Sequence, residues 1–392
     1  MTPAARVQAA IELLDEIIKA TGENGPPADT LVTRYFKQRR YAGSKDRRAV
    51  RELVFRAIRH SAEIPLSGRA ALLGLAQGDP SLLEGFGQPR GPAPLAAGEA
   101  AAEPGFVPLW LQPLLSPLVS EAEWPALLER ATLDLRVNVA RTSRGDILDE
   151  FPMAAATSLS PWGLRLAAET KVDEHPAFTA GLVEVQDEGS QLIALACAPA
   201  KEKERLLDLC AGAGGKSLAL AAAAPTATIL ATDSNRARLS QLAPRAQRAG
   251  AEIETRLLSP PRELDELADW RENADCVLVD APCSGSGTWR RNPEGRWRLT
   301  SERLERLTNA QQRLLDMAAA LVRPGGVLVY AVCSLLSREG AGQIGRFLER
   351  HSSWISEPLP IPGGRDEGGG KLLTPGHDHT DGFFVARLRR AC

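Results

Sequence analysis

The chain has 392 residues, 44% of them hydrophobic and 24% charged, with a formal net charge of −2. Such a length implies two or three domains, and the composition excludes a disordered or collagen-like chain. The most apolar stretch, Leu218 to Ala231, is 14 residues long and contains Pro225, which is too short and too broken to cross a bilayer.

Residues 5–20 place Val7, Ala10, Ile11, Leu14, Ile17 and Ile18 at helical spacing, with Glu12, Asp15 and Glu16 on the other face. This is an amphipathic helix and not a signal peptide, so a cytoplasmic location is expected. Gly22 to Pro27 breaks the pattern. Leu31–Phe36 and Arg48–Ile58 read as helices, with Ser44 or Asp46 as N-cap. Between Leu31 and His60 stand ten Lys/Arg against two acids, which makes either a phosphate-binding surface or a plainly solvated face. Ala70–Ala76 reads as a short helix, 86–105 as a loop, and Val107–Leu118 and Ala122–Ala131 as further helices. With no strand alternation anywhere in it, 1–130 is expected to be an all-helical domain.

The pattern changes at Leu133–Val139, which alternates like a strand. A helix over Thr142–Glu150 and an extended piece over Ser160–Glu169 complete a small α+β module at 131–182. From 183 to 392 strands and helices alternate: strands at Arg205–Leu209, Ala227–Thr232, Asp275–Val279 and Val327–Val332, helices at Ser217–Ala224, Arg236–Ala249 and Ser301–Val322. This order predicts an α/β domain with a mainly parallel, doubly wound (Rossmann-type) sheet, whose ligand sits at the carboxyl ends of the strands.

Three segments at those ends carry chemistry. The first is Leu206-Leu-Asp-Leu-Cys-Ala-Gly-Ala-Gly-Gly-Lys-Ser217. A glycine turn from strand into helix lets backbone N–H groups approach a ligand closely. A P-loop would need glycine where Cys210 stands, and Gly212, Gly214 and Gly215 lack the spacing of a nicotinamide or flavin site. Asp208 before the turn and Asp233 after the next strand instead suit an S-adenosylmethionine site, one acid near an amino group and the other on the ribose hydroxyls.

The second segment is Val277-Leu-Val-Asp-Ala-Pro-Cys-Ser-Gly-Ser-Gly-Thr288, followed by Trp289-Arg-Arg-Asn-Pro-Glu294. Methylases of exocyclic amines place proline and an aromatic where Cys283 and Ser284 stand, so a thiol here suggests chemistry on a ring carbon. The third is Pro324-Gly-Gly-Val-Leu-Val-Tyr-Ala-Val-Cys-Ser334, with Cys333 at a strand end. Carbon 5 of a pyrimidine is too weak a nucleophile to take a methyl group from a sulfonium. A thiolate adding to carbon 6 makes carbon 5 nucleophilic; a base then removes the carbon 5 proton and the thiol is eliminated. Asp280 can hydrogen-bond the cytosine amino group or ring nitrogen 3, and Lys216 or the Arg290-Arg291 pair could lower a thiol pKa.

These motifs resemble those of the Sun/Fmu-type RNA cytosine-5 methyltransferases, and most closely the bacterial ribosomal small-subunit methyltransferase B group. The resemblance rests on Val185–Gln191, Asp208–Lys216, Asp280–Thr288 with Arg290–Pro293, Tyr330–Ser334 and Asp381–Ala386. Tyr41–Arg48 resembles part of that group's NusB-like helical RNA-binding domain. The resemblance implies Cys333 as nucleophile, Cys283 as the thiol assisting product release, and Asp280 beside the base. It implies S-adenosylmethionine held by Asp208, Cys210, Ala211, Gly212, Ala213, Gly214, Gly215, Lys216, Asp233, Arg238 and Asp280. The partner it implies is RNA, foremost 16S ribosomal RNA with transfer RNA as the rival, and the chain is expected to be a monomer without metal or membrane. A DNA cytosine methylase would lack a counterpart of Cys333, and an RNA-binding assembly factor with a vestigial site would not need both thiols.

The chain departs from the family pattern at Val332 (usually Thr), at Leu258-Ser259 (usually an acid by the adenine) and at Glu339-Gly340 (usually Glu-Asn). The adenine is therefore expected to meet apolar contacts or another polar group. Trp289 and Trp297 could stack on bases or fill a core, and Arg290, Arg291, Arg296 and Arg298 are expected to contact phosphate. His377 and His379 have no third ligand at sensible spacing, so no metal is expected.

Overall fold

The computed structural model describes residues 1–22, 25–197 and 204–392. Residues 23 and 24, within the expected break at Gly22–Pro27, lie outside them. The chain divides into two compact units, one of Met1–Leu115, Trp124–Glu129 and Thr288–Thr300, the other of Ser116–Glu123, Arg130–Gly287 and Ser301–Cys392.

The first unit is built on helices α1 (Pro3–Gly22), α2 (Ala28–Gln38), α3 (Ser44–His60) and α4 (Gly68–Gly78). Their apolar faces meet in one core that includes Leu13, Leu14, Ile17, Val54, Ile58 and Leu72. The basic residues fall opposite: Arg34, Lys37, Arg40, Lys45, Arg47, Arg48, Arg51 and Arg56 are exposed. Helix α3 is capped by Gly43 without a side-chain bond, not by Ser44 or Asp46; Asp46 instead accepts from Arg6 Nε at 2.9 Å. The helices expected at Val107–Leu118 and Ala122–Ala131 do not form. Pro108, Pro113 and Pro117 interrupt the first and Pro125 the second, leaving 3-10 turns at Gln112–Leu114 and Glu121–Leu127.

Residues 288–300 belong to this helical unit, which decides one open alternative and overturns one expectation. Trp289 and Trp297 are 1% and 4% exposed, so they fill space rather than wait for bases. Arg296 does not reach for phosphate; its guanidinium donates to the carbonyls of Ile58, Arg59, Ser61 and Phe106. It thereby satisfies carbonyls at the end of α3 that have no partner within the helix. Arg298 donates to the carbonyls of Gly25 and Pro26.

In the second unit, β1 (Leu133–Val137), β2 (Ala155–Ala156), β3 (Gly163–Leu166) and β4 (Val183–Val185) form an antiparallel sheet in the order β2-β3-β1-β4. Alternation sends Leu135 and Val137 into a core with Ile147, Phe151 and Leu164. From the other face of β1, Asp134 takes Arg165 through both oxygens, each at 2.8 Å.

Helix α5 (Glu188–Ala196) leads to a larger, mixed sheet. Strands β5 (Arg205–Asp208), β6 (Thr228–Asp233), β7 (Glu254–Leu257), β8 (Ala274–Asp280) and β9 (Val322–Val332) are mutually parallel, in the order β7-β6-β5-β8-β9. Strand β13 (Phe383–Arg390) joins β9 antiparallel and extends the sheet through β12 (Gly370–Leu373) to β11 (Arg365–Glu367), while β10 (Trp354–Glu357) pairs with β13. The expected parallel core is thus present, and the last strands add an antiparallel edge. The chain winds outward from β5 to β7 and then returns to β8 beside β5. The order therefore reverses between β5 and β8, where a Rossmann-type sheet opens a crevice for its ligand.

Helix α6 (Gly215–Ala223) follows β5, α7 (Leu242–Ala249) follows β6, α8 (Ser301–Leu321) precedes β9, and α9 (Ala341–Arg350) follows it. The single helix expected over Arg236–Ala249 is broken into Arg236–Leu239 and Leu242–Ala249. Pro244 has no N–H to bond back across the break. Among the described residues, no helix is long and apolar enough to cross a membrane.

Candidate active site

The ends of β5, β8 and β9 lie side by side, and each delivers one chemical segment. After β5 the glycine turn begins. Gly212 and Gly214 adopt φ +57° and +82°, the left-handed region glycine enters without penalty. A methyl group at Gly212 would collide with the Arg238 guanidinium, and one at Gly214 with the Leu242 side chain. The turn then opens into α6, whose first N–H groups lack partners within the helix. Arg245 clamps it from outside, donating to Ala213 O at 2.6 Å and to Glu184 at 2.9 Å. Cys210 is partly covered; burial first, then the charges of Asp208, Asp280 and Asp233, push its thiol up.

Asp233 ends β6 with both oxygens engaged by backbone, Oδ2 by Gly212 N at 2.8 Å and Oδ1 by Asn235 N at 2.7 Å. Asp208 is deeper: it is buried, Oδ2 accepts from Ser217 Oγ at 2.6 Å, and Oδ1 has no partner. Burial pushes its carboxyl up to about 7, against the pull of the Ser217 bond. At the end of β7 no acid lies in the chain at Leu258-Ser259, but Glu266 Oε2 accepts from Ser259 N at 2.7 Å. Sequence spacing alone did not bring that carboxylate there.

After β8, Asp280 Oδ2 accepts from Lys216 Nζ at 2.7 Å. Burial works against the Lys216 charge, but Asp280, by charge and hydrogen bond, lifts its pKa above the usual lysine value, and Cys333 adds to the effect. The ammonium also lies 5.7 Å from the centre of the Phe383 ring. Arg290 and Arg291, the other cations considered beside the thiols, belong to the helical unit.

The two thiols then meet. Asp280 is paired with Ala331 in register, Ala281 N donates to Ala331 O at 2.9 Å, and Gly287 N to Cys333 O at 3.1 Å. These bonds hold the loops after β8 and β9 together, and Cys283 Sγ lies 3.2 Å from Cys333 Sγ. The Cys283 thiol is pushed well up by its hydrogen bond to Cys333, then by burial, then by the charges of Cys333 and Glu339. Cys283 thus keeps its proton. Cys197 and Cys276 are buried core residues and Cys392 is exposed.

Sequence reasoning noted the next group only as part of the Glu339-Gly340 departure from the family's Glu-Asn pair and gave it no role. Glu339 is fully buried. Its Oε1 accepts from Ser284 N and Gln311 Nε2, both at 2.9 Å. Its Oε2 accepts from Ser334 Oγ at 2.6 Å and from Ser284 Oγ. Gln311 reaches on to Pro282 O at 3.0 Å. The signal in the sequence was an acid six residues after Cys333, where the family usually has Glu-Asn.

The family described as 16S rRNA methyltransferase RsmB/F matches residues 194–389. The chain belongs to this family. A relative from Synechocystis sp., named probable ribosomal RNA small subunit methyltransferase B, is 36% identical over 72% of this chain and 67% of its own length. The ribosomal RNA small subunit methyltransferase B of Xylella fastidiosa (strain Temecula1) is 37% identical over 69% of this chain and 63% of its own. The chain thus spans about two thirds of the length of these relatives. The crystal structure of PH0851 is similar in fold, with a TM-score of 0.76 at 22% identity over 100% of this chain and 99% of that one.

Proposed function

We propose that this member of the RsmB/F family transfers a methyl group from S-adenosylmethionine to carbon 5 of a cytosine in RNA, with 16S ribosomal RNA as the substrate. The observation that carries the reading is the thiol pair, Cys283 and Cys333 at 3.2 Å, at the strand ends beside the Lys216–Asp280 pair. A methylase acting on an exocyclic amine has no use for two such thiols.

The residues at the switch point suit the methyl donor. Asp208 has a buried oxygen without a partner, and a carboxyl poised near neutrality would ionise against an ammonium. Asp233 suits the ribose, with Gly212 and Arg238 packed beside it. Leu258 and Glu266 suit the adenine, in place of the usual acid. Cys210, Ala211, Ala213, Gly214, Gly215 and Lys216 form the turn around the donor's methionine end. When bound, the donor supplies an electrophilic methyl group.

Cys333 is the sulfur that adds to carbon 6. Cys283, which keeps its proton, stands beside it to assist release of the methylated base. Asp280 hydrogen-bonds the cytosine edge, and Lys216 neutralises charge between that acid and Cys333. The exposed cations of α2 and α3, in a helical unit read as NusB-like, hold the RNA backbone by charge. The protein acts as a cytoplasmic monomer.

The test is tritiated methyl transfer from S-adenosylmethionine to protein-free 16S ribosomal RNA and, in parallel, to transfer RNA, with nucleoside analysis. 5-Methylcytidine in the ribosomal RNA is expected. Label in transfer RNA alone would discard the substrate and keep the chemistry. Label on another atom or base would discard the chemistry.

A further inference from the structure

We propose that Glu339 is a positioning residue that holds the two thiol loops in register, so that Cys283 and Cys333 act on one base. The inference deepens the methyltransferase reading and rests on it. Neither thiol sits on a regular element. Cys283 lies in the Pro282-Cys283-Ser284 turn after β8, and Cys333 follows the last residue of β9. A turn that projects a nucleophile needs something rigid behind it, because an error of an ångström in reacting geometry costs orders of magnitude in rate.

The Glu339 carboxylate supplies that support for both turns at once. It accepts the Ser284 amide and hydroxyl immediately after Cys283, and the Ser334 hydroxyl immediately after Cys333. Through Gln311 it also reaches Pro282 O, immediately before Cys283. Glu339 is itself fixed, since Tyr330 of β9 donates its hydroxyl to Glu339 O at 2.7 Å. Gln311 is fixed too, its Oε1 accepting from Gln343 of α9 at 3.1 Å. A fully buried carboxylate with four donors and no cation among these bonds is costly to desolvate. The chain bears that cost where it fixes the separation of two sulfurs. Glu339 touches neither sulfur in these bonds, so its role is to place them.

The test reads thiol spacing directly. Phenylarsine oxide condenses with two neighbouring thiols, forming two As–S bonds and releasing one water, without redox change. Wild-type protein is expected to be bridged at Cys283 and Cys333, mapped by mass spectrometry. In Glu339→Ala, bridging should slow at least tenfold. The kcat for RNA methylation should fall at least a hundredfold, with KM for RNA within threefold. Glu339→Gln keeps an acceptor for Ser284 N and Gln311, and the hydroxyls can turn to accept from its amide. It should restore bridging to within threefold of wild type. If Glu339→Ala does not fold, Ser334→Ala removes one donor of the same network and should slow bridging severalfold.

A wild-type chain that is not bridged would overturn the proposal. So would a folded Glu339→Ala that bridges at the wild-type rate, or one that raises KM and spares kcat. Bridging uses neither RNA nor methyl donor. A chain that bridges as expected but methylates nothing therefore refutes the methylation reading, while the bridging rates still decide the placement of the sulfurs.

Discussion

Cys283 and Cys333 are 50 residues apart in sequence and 3.2 Å apart at their sulfurs. The parallel pairing of β8 with β9 is what joins them, because each thiol follows its strand by a few residues. The hydrogen bond to Cys333, then burial, push the Cys283 thiol well up.

The roles proposed for the two thiols give opposite expectations for two similar substitutions. Cys333→Ala should reduce methyl transfer to background and give no covalent RNA adduct. Cys283→Ala should retain attack but stall release, so that an RNA–protein adduct accumulates. A denaturing gel after incubation with RNA and methyl donor separates the two. An adduct in Cys333→Ala and none in Cys283→Ala would reverse the roles.

Asp208 makes stability depend on pH in a definite direction. Its carboxyl is raised by burial from 3.8 to about 7 in the folded chain. Below the unfolded value both states are protonated and no penalty exists. As pH rises from about 4 to about 7, the unfolded state ionises while the folded state does not, and stability falls. Above about 7 the loss levels off, at about 4 kcal/mol at most for a three-unit shift. Asp208→Asn removes the penalty and keeps an acceptor for Ser217. Urea unfolding without methyl donor should show its advantage over wild type growing from pH 5 to pH 7 and then flattening. A difference constant over that range would refute the assignment.

Much of the site was legible because its parts are local. The glycine turn, the Asp280-Ala-Pro-Cys283 turn and the thiol after Tyr330 each announce a strand end in a few residues. The parallel core was legible from alternation. The bonding role of Glu339 was not, because it lies in donors from Ser284, Ser334 and Gln311, which come from separate parts of the chain. Glu266, at the end of β7, was missed for the same reason. Arg296 and Arg298 were misread as phosphate contacts, and Trp289 and Trp297 were left open, since arginines and tryptophans beside the Asp280–Cys283 turn look the same whether they face RNA or fill a core. Only the packing of Trp297 with the helical core decides it.

The glycine turn predicts a difference between two left-handed glycines. Gly214 at φ +82° has the Leu242 side chain where a methyl group would go. Gly250 at φ +67° has only Arg141, with Cδ at 3.7 Å. Gly250→Ala should therefore pay backbone strain alone, about 1 kcal/mol. Gly214→Ala adds a collision at the start of α6 and should cost about 3 kcal/mol. It should also weaken methyl-donor binding at least tenfold by calorimetry, while Gly250→Ala leaves binding within twofold. Equal effects of the two on binding would remove the turn from the donor site.

Arg296 separates a structural role from an RNA-contacting one. It lies 1% exposed and gives its guanidinium to four carbonyls, among them Phe106 O at 2.7 Å and Ser61 O at 2.8 Å. Lysine carries the same charge but lacks the planar fork, so Arg296→Lys cannot serve all four. Carbonyls left buried and unpaired cost about 1–3 kcal/mol each. Thermal unfolding of Arg296→Lys should fall by several degrees, as for a loss of about 3 kcal/mol in a chain of this size. The slope of RNA affinity against salt should stay at the wild-type value, because no phosphate contact is removed. An unchanged melting temperature with a shallower salt slope would return Arg296 to the RNA surface.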